Sequence, residues 1–216
     1  MNARLFLSII TSRMKFSLIG MSGSGKTYWS KKLQKKGFKV LRCDDLLEKK
    51  LGAGFKNLGY SGIRDVARWM GQPFDGRYAK KSQEYLTCEK KAMEDILSEA
   101  ETCQNLIIDT TGSVIYLGNV ILNKLSSVSK VVYIRADTSS IEKMFRLILK
   151  NLKPVIWGKS FNKNAGESNK QALTRCYPKL LEFRSKEYEK LADFTLDYRL
   201  LRKSDFIVEK FIELIK

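Results

Sequence analysis

Residues 15–33 read KFSLIGMSGSGKTYWSKKL, and this stretch decides how the rest of the chain is interpreted. A short, mostly apolar run leads into a turn with three glycines, and a Lys-Thr pair then opens a helix-like run. Glycines let backbone N–H groups turn inward without interference from a Cβ, and the start of a helix carries partial positive charge. The stretch therefore predicts an anion-binding turn between a strand and a helix.

The turn itself, residues 20–27, reads GMSGSGKT and fits the pattern G-x-x-x-x-G-K-[ST] of a phosphate-binding P-loop. We expect Lys26 to reach the β- and γ-phosphates of ATP and the Thr27 hydroxyl to bind Mg²⁺. The alternative is a glycine-rich turn without a ligand. The remaining predicted nucleotide-binding residues are Gly20, Met21, Ser22, Gly23, Ser24 and Gly25.

Strand-like runs alternate with helix-like runs along the chain, which predicts an α/β fold with a parallel sheet. The strand candidates are residues 16–20, 39–43, 105–109, 130–135 and 194–198. The helix candidates are residues 26–36, 61–70, 78–103, 138–152 and 171–192, with a last helix after Ser204. Gly37 is a predicted C-terminal cap of the first helix.

The chain of 216 residues is long enough for one domain with a substantial core. We expect residues 1–14 to be an N-terminal extension and residues 15–216 to form the domain. Residues 153–170 lie in a Lys-, Asn- and Gly-rich stretch, and we expect them to form a lid over the phosphates. Lys153 and Lys159 would offset phosphate charge there. The alternative is a tolerated surface insertion.

The amino-acid composition limits the classes of binding partner and of catalytic site that we expect. The net charge is +17, from 40 Lys and Arg against 23 Asp and Glu, which suggests either nucleic-acid binding or an enzyme with anionic substrates. Scattered lysines without a nucleic-acid-reading motif favour the second interpretation. Histidine is absent and the four cysteines lack CxxC spacing, which argues against a Cys/His zinc site and against histidine-dependent nucleophiles.

The sequence has no apolar run of bilayer length and no signal-like cleavage site at its start. We therefore expect a cytoplasmic protein with no membrane partner. A monomer or a weak oligomer is the expected state.

Carboxylates follow two of the predicted strands. Asp109 ends the third strand, where a carboxylate can bind the metal next to the phosphates, although it could instead cap the following turn. Asp44 and Asp45 follow the second strand, where one carboxylate can orient an acceptor hydroxyl or take its proton. Capping of the next helix is the alternative for this pair. Carboxyl ends of parallel strands share one edge, so these groups are expected near the P-loop.

These motifs, in this order, resemble the shikimate kinase family over about residues 15–198. The matching segments are GMSGSGKT after the first strand, CDDLLEKKLG after the second, DTTGSV after the third, VVYIRADTSSIEKMFRLI around the fourth, and RSKEYEKLADFTLDY near the end. The P-loop alone fits many proteins, whereas the R-x-x-x-Y-x-x-x-A-D spacing is more selective. The resemblance implies a three-layer P-loop NTPase fold with a five-stranded parallel sheet in the order 2-3-1-4-5 and a mobile lid.

The resemblance also implies an activity. It implies the use of ATP and Mg²⁺, and transfer of the γ-phosphoryl group to a hydroxyl of a small molecule. Asp44 matches the aspartate that holds the acceptor hydroxyls, and Arg184 matches an arginine that pairs with the acceptor carboxylate. Arg77 stands near the position of the arginine in the family's GE-x-x-F-R, in a longer and altered stretch.

The chain departs from the family pattern around the acceptor. Arg42 replaces the first carboxylate of the family's Asp-x-Asp, and Asp109 is expected to take over its metal duty. Thr110, Thr111 and Gly112 replace the family's acceptor-binding triple glycine. Two added side chains would crowd an acceptor ring, while their hydroxyls would offer new hydrogen bonds to it. Thr111 and Gly112 are therefore predicted to contact the acceptor.

The sequence thus predicts an ATP-dependent small-molecule kinase of shikimate-kinase type whose acceptor is open. Two alternatives remain: a nucleotide-binding P-loop protein without kinase activity, and a nucleic-acid-stimulated NTPase.

Overall fold

The computed structural model describes residues 13–136, 138–150 and 153–216. It contains one parallel sheet in the order β2-β3-β1-β4-β5, which confirms the predicted number of strands, their direction and their order. The strands are β1 (Lys15–Ile19), β2 (Lys39–Arg42), β3 (Leu106–Asp109), β4 (Lys130–Arg135) and β5 (Phe194–Asp197).

The helices of the described residues connect these strands. They are α1 (Lys26–Gln34), α2 (Cys43–Lys56), α3 (Gly62–Met70), α4 (Tyr78–Thr102), α5 (Asn119–Val128), α6 (Thr138–Leu149), α7 (Asn169–Leu191), α8 (Tyr198–Leu201) and α9 (Val208–Leu214), with 3₁₀ turns at Val114–Tyr116 and Gly158–Ser160. The predicted helices are confirmed with ends shifted by up to three residues, although the expected last residues of α6, 151–152, lie outside the described residues. The sequence analysis did not delimit α2, α5 or α8.

Local chemistry explains several helix ends. After α1, Gly37 takes a φ of 92° and its amide donates to the carbonyl of Gln34 at 3.1 Å, as expected for a C-terminal cap. Helix α2 is interrupted at Gly52, whose φ of 68° and ψ of −156° are not helical. Helix α7 begins at a capping box, in which the Ser168 side chain and the Gln171 side chain each bond the other residue's backbone amide.

Apolar residues cover both faces of the sheet, which makes the fold three-layered. On one face, Trp29 of α1 stacks on Phe211 of α9 with ring centroids 4.9 Å apart. On the other face, α4, α5 and α7 contribute a second buried cluster that includes Tyr133 and Tyr188. Adjacent residues of β1 divide between the two clusters, Leu18 into the first and Ile19 into the second, because successive strand side chains point to opposite faces.

The strand register brings three chain segments to one edge. Asp109 at the end of β3 pairs with Leu18 of β1 on one side and with Arg42 of β2 on the other. The segments that follow these strands are the P-loop, the start of α2 and the DTTG turn. They therefore meet at the carboxyl edge of the sheet, where α/β folds bind ligands.

Most of the predicted N-terminal extension, residues 1–12, lies outside the described residues. Met14 is buried, its amide donates to Asn105 Oδ1 at 3.2 Å, and its carbonyl accepts the Leu106 amide at 2.9 Å. Met14 thus already belongs to the fold. None of the helices in the described ranges combines the length and the apolar character needed to cross a membrane.

Candidate active site

A cleft of about 250 Å³ opens at the carboxyl edge of the sheet. The P-loop, the start of α2, the turn after β3, and helices α6 and α7 all contribute to its walls. Its main polar lining residues are Ser22, Lys26, Thr27, Asp44, Tyr85, Thr110, Thr111, Ser113, Lys153, Tyr177 and Arg184.

The backbone of the P-loop takes conformations that favour glycine at three positions. Gly20 takes a φ of 136°, and a Cβ at this position would lie 2.6 Å from the Ile134 carbonyl oxygen. Gly23 and Gly25 also take positive φ values, of 90° and 100°. The Ser24 hydroxyl is buried in this turn, and it has no hydrogen-bond partner among the described residues. Ser24 does not line the cleft itself, whereas Ser22, Gly23 and Gly25 of the same turn do.

Lys26 is held at the mouth of the turn. Its Nζ donates to the carbonyls of Gly20 at 2.8 Å and of Met21 at 3.1 Å, and the residue is 7% exposed. Burial lowers the pKa of Lys26, while the charges of Asp109 and Asp44 act in the opposite direction. The ammonium is thus influenced by one carboxylate in the cleft, Asp44, and by one buried carboxylate, Asp109.

The two residues predicted to bind metal are placed differently. The Thr27 side chain is exposed and lines the cleft. Asp109 is buried, its Oδ2 accepts the Ser30 hydroxyl at 2.9 Å, and it is not among the residues that line the cleft. Groups of three or more Asp, Glu, Cys or His side chains that could hold a metal do not occur in residues 13–136, 138–150 and 153–216.

Asp44 lies in the first turn of α2, one residue after its start at Cys43, and lines the cleft. Its side chain is open to the cleft, yet the surrounding walls remove much of its hydration. This desolvation raises the pKa of Asp44, and the nearby Lys26 ammonium lowers it in part. The neighbouring Asp45 is exposed and does not line the cleft. The pair thus divides into one carboxylate in the cleft and one on the surface.

The threonines after β3 turn their hydroxyls into the protein. Thr110 Oγ1 donates to the Leu18 carbonyl at 2.8 Å. Thr111 Oγ1 donates to Glu89, and Ser113 Oγ donates to the other oxygen of Glu89 at 2.6 Å. Both hydroxyls thus donate to buried protein oxygens, so neither is free to donate to an acceptor in this arrangement. The predicted contact of Thr111 with the acceptor stays a prediction.

Gly112 packs the turn after β3 against the P-loop. A Cβ at this position would lie 3.1 Å from the Ser22 amide nitrogen and 3.5 Å from Arg184 Nη1. Its carbonyl accepts the Tyr188 hydroxyl at 2.5 Å. A side chain larger than hydrogen would push the two turns apart, which explains a glycine here without requiring a positive φ.

Arg184 is a buried cation beside the cleft. It is 3% exposed, and its Nη2 donates to the Ile156 carbonyl at 2.6 Å. Its guanidinium lies over the Tyr116 ring, 5.4 Å from the centroid. None of the carboxylates in the described residues forms an ion pair with it. Because a buried unpaired charge is costly, Arg184 is suited to an anionic ligand.

Arg77 does not reach the cleft. The residue is exposed, and its Nη2 donates to the Arg68 carbonyl at 2.9 Å, near the C-terminus of α3. A cation there is favoured by the negative end of the helix dipole. The structure thus brings Lys26, Asp44, Thr111, Gly112 and Arg184 together and places Arg77 elsewhere.

Comparison with known proteins supports this architecture. No protein-family model matches the sequence, and no curated protein matches it. Among solved structures, the fold matches the shikimate kinase from Acinetobacter baumannii in complex with shikimate, with a TM-score of 0.61 and 18% identity over 96% of this chain and 93% of that one. Shikimate kinases from Bacteroides thetaiotaomicron (0.59, 15%, 93% and 97%) and Aquifex aeolicus (0.54, 18%, 93% and 94%) also match.

The chain has a shikimate-kinase-like P-loop fold. At these identities the likeness establishes the architecture and leaves the acceptor open.

In this shikimate-kinase-like fold, only the start of the predicted lid lines the cleft. Lys153 faces it, whereas Lys159 is exposed and does not line it. Residues 155–157 are buried between these two lysines. The Tyr78 hydroxyl donates to the Val155 carbonyl at 2.8 Å and accepts the Trp157 amide at 2.9 Å. Arg175 and Glu167, 2.8 Å apart, then tie the later part of the segment to α7.

Sequence reasoning missed Glu89, Tyr85 and Tyr177. The burial of Glu89 could have been predicted from its position in the helical repeat, because Tyr85, Ala92 and Ile96 lie on the same buried face of α4. A charged residue on that face indicates a special role. The Tyr177 hydroxyl is buried in the cleft wall and has no hydrogen-bond partner in the part of the chain that is described. Nothing in the sequence around Tyr177 distinguishes it from a core tyrosine.

Proposed function

We propose that the protein is an ATP-dependent kinase that transfers the γ-phosphoryl group to a hydroxyl of a small polar metabolite. One observation carries the proposal: a single cleft joins the P-loop side chains Lys26 and Thr27 to two groups suited to an acceptor, Asp44 and Arg184. A nucleotide and an acceptor bound in one cleft would be held for direct transfer, and positioning supplies much of the catalysis in such reactions.

The residues present fit a nucleotide. The glycine-permitted turn and the Lys26 ammonium together suit a polyphosphate. ATP would supply the phosphoryl group, and Mg²⁺ would offset its charge. Thr27 would hold the ion, with Asp109 acting directly or through water. Since the described residues offer no larger ligand set, phosphate oxygens and water would complete the coordination.

The protein's own residues have distinct roles in this proposal. Asp44 orients the acceptor hydroxyl and takes its proton, and its raised pKa makes it a better base near neutral pH. Lys26 and Lys153 stabilise negative charge on the transferred group. No nucleophilic side chain is required, which agrees with a sequence without histidine.

Two observations define the class of acceptor. The cleft of about 250 Å³ has to hold phosphates as well as the acceptor, so the acceptor must be a small molecule. Arg184 has no carboxylate partner among the described residues, so it suits a carboxylate or another anionic group on the acceptor. The A. baumannii relative is described in complex with shikimate, which makes shikimate one candidate here. The Thr111 side chain on the cleft floor favours a different or differently placed ring.

The test is ATP consumption with Mg²⁺ across small hydroxy acids, sugars and nucleosides, shikimate included. We expect one compound class to yield a phosphorylated product. Lys26→Ala should lower turnover by about 10²-fold or more, because it removes a preorganised cation from the developing charge. Its melting temperature should stay close to that of the wild type, since the change removes a desolvated charge. Normal phosphorylation by Lys26→Ala would contradict the proposal, and so would a lack of affinity for any nucleoside triphosphate.

A nucleotide-binding protein without kinase activity is the second candidate. It is favoured by Arg42 at a position where the family has a carboxylate, and by the inward-turned threonine hydroxyls. It predicts thermal stabilisation by MgATP without any phosphorylated product. The cytoplasmic location and the monomeric or weakly oligomeric state stay predictions.

A further inference from the structure

Glu89 lies directly behind the floor of the cleft. It is 0% exposed, and it does not line the cleft itself. One carboxyl oxygen accepts the Thr111 hydroxyl and the other accepts the Ser113 hydroxyl at 2.6 Å. The Tyr85 hydroxyl lies 3.5 Å from Ser113 Oγ. All three partners of this network line the cleft, so Glu89 acts on a ligand through these hydroxyls or through its charge, and not by direct contact.

The surroundings of Glu89 place the change between its protonated and ionised forms near neutral pH. No Lys or Arg side chain of the described residues bonds to it. Burial raises the pKa of Glu89 to about 7, although the hydrogen bonds from Ser113 and Thr111 lower it in part. Asp44 also raises this pKa and Arg184 lowers it. The other titratable groups that face Glu89 are Cys43, Tyr85 and Tyr188.

The floor of the cleft differs in charge and hydrogen bonding between the two protonation states of Glu89. When Glu89 is ionised, it accepts hydrogen bonds from the Thr111 and Ser113 hydroxyls, and its negative charge offsets the positive charge of Arg184. When Glu89 is protonated, that offset disappears and Arg184 attracts an anion more strongly. Binding of an anion at Arg184 and protonation of Glu89 must therefore favour each other, since linkage between two sites is reciprocal.

We propose that Glu89 is a positioning residue for the acceptor: it turns the Thr111 and Ser113 hydroxyls away from the cleft, and its charge sets how strongly Arg184 binds an anionic acceptor. This inference rests on the proposed kinase function. It assigns a role in acceptor binding to a residue that does not touch the acceptor. It also predicts the direction in which acceptor binding changes with pH.

The experiment compares the full-length wild type with Glu89→Gln and with Glu94→Gln, an exposed glutamate on the same helix as a matched control. Each protein receives MgATP with shikimate, glycerate, inositol or adenosine, so that charged and uncharged acceptors are both present. The KM for each acceptor, the KM for ATP and kcat are measured at about pH 6 and at about pH 8, on either side of the expected titration.

For an anionic acceptor, we expect the wild-type KM to rise by up to about tenfold at the higher pH, the change that corresponds to one unit of pKa. Glu89→Gln should keep the low KM at both pH values, with the KM for ATP unchanged, and Glu94→Gln should follow the wild type. Ser113→Ala removes a hydrogen bond that favours ionised Glu89, so it should move the rise in KM to higher pH.

The inference is overturned if Glu89→Gln and Ser113→Ala show the wild-type pH dependence, or if the enzyme phosphorylates only uncharged acceptors. If Glu89→Gln does not fold, the Ser113→Ala result decides alone. A wild type that binds MgATP but phosphorylates none of the compounds overturns the kinase proposal together with this one. If the protein is a kinase but Glu89→Gln leaves the pH dependence of the acceptor KM unchanged, only this inference is overturned.

Discussion

At the scale of single residues, Asp44 and Asp45 show how one position along the chain separates a side chain in the cleft from one outside it. Both residues are exposed, but only Asp44 lines the cleft, together with Lys26. We expect Asp44→Asn to lower kcat by about 10² to 10⁴-fold, the usual contribution of a general base, with the affinity for ATP unchanged. Steady-state kinetics and nucleotide titration measure the two quantities. Asp45→Asn is the control, and an equal loss in both variants would argue against a role in the cleft.

Glu89 should also make stability depend on pH in an unusual direction. Its pKa is raised from 4.5 to about 7, so the folded state binds a proton that the unfolded state releases between these values. Stability is therefore full below the unfolded pKa and is lost as pH rises through the folded pKa, by up to about 3 kcal/mol. Chemical denaturation across this range should show the loss in the wild type and not in Glu89→Gln. If the stability of the wild type and of Glu89→Gln changes with pH in the same way, the titrating group is not Glu89.

At the scale of elements, the segment between α6 and α7 combines a buried anchor with an exposed loop. The Tyr78 hydroxyl holds both the Val155 carbonyl and the Trp157 amide. We expect Tyr78→Phe to destabilise the protein by about 1–3 kcal/mol, because it leaves two buried backbone groups without their partner. Amide exchange should rise first in residues 155–157.

Tyr60→Phe is the matched control for this prediction. Its ring packs on Phe55, and its hydroxyl forms no hydrogen bond with any of the described residues. A similar loss of stability in both variants would mean that the Tyr78 hydroxyl does not anchor the segment. Unchanged exchange in residues 155–157 would lead to the same conclusion.

The elements also show what a pattern can and cannot predict. The short apolar strands and helix α1 followed from the alternation of runs and from Gly37. Helix α2 was harder to delimit, because Gly52 breaks it and glycines surround that position. Helix α5 has an exposed apolar residue, Val120, beside its buried Ile121 and Leu125, which blurs its periodicity. Tertiary packing against α4 decides such segments more than propensity does.

At the scale of the whole molecule, the net charge of +17 predicts a positive field that attracts polyanions. We expect RNA to bind weakly at low salt, to dissociate at about 0.2 M salt, and to leave ATP turnover unchanged. Turnover with and without RNA over a range of salt concentrations checks this. Salt-sensitive stimulation by RNA would instead favour the nucleic-acid-stimulated NTPase and would count against a small-molecule acceptor.

The amino-acid pattern was enough to predict the glycine-rich turn, the alternation of strands and helices, and the carboxylates that follow the strands. These features are local, since each depends on residues close together in the chain. The resemblance to shikimate kinases then supplied the strand order, which the structure confirms.

Only the tertiary structure decided which side chains face the cleft. It joined Thr111 to Glu89, turned Arg77 toward the end of α3, buried Arg184 against the Ile156 carbonyl and anchored the first part of the predicted lid. Contacts between distant parts of a chain leave no periodic pattern in the sequence. Whether a polar side chain serves a ligand or a buried partner is therefore settled by packing, because each hydroxyl has a single proton to donate.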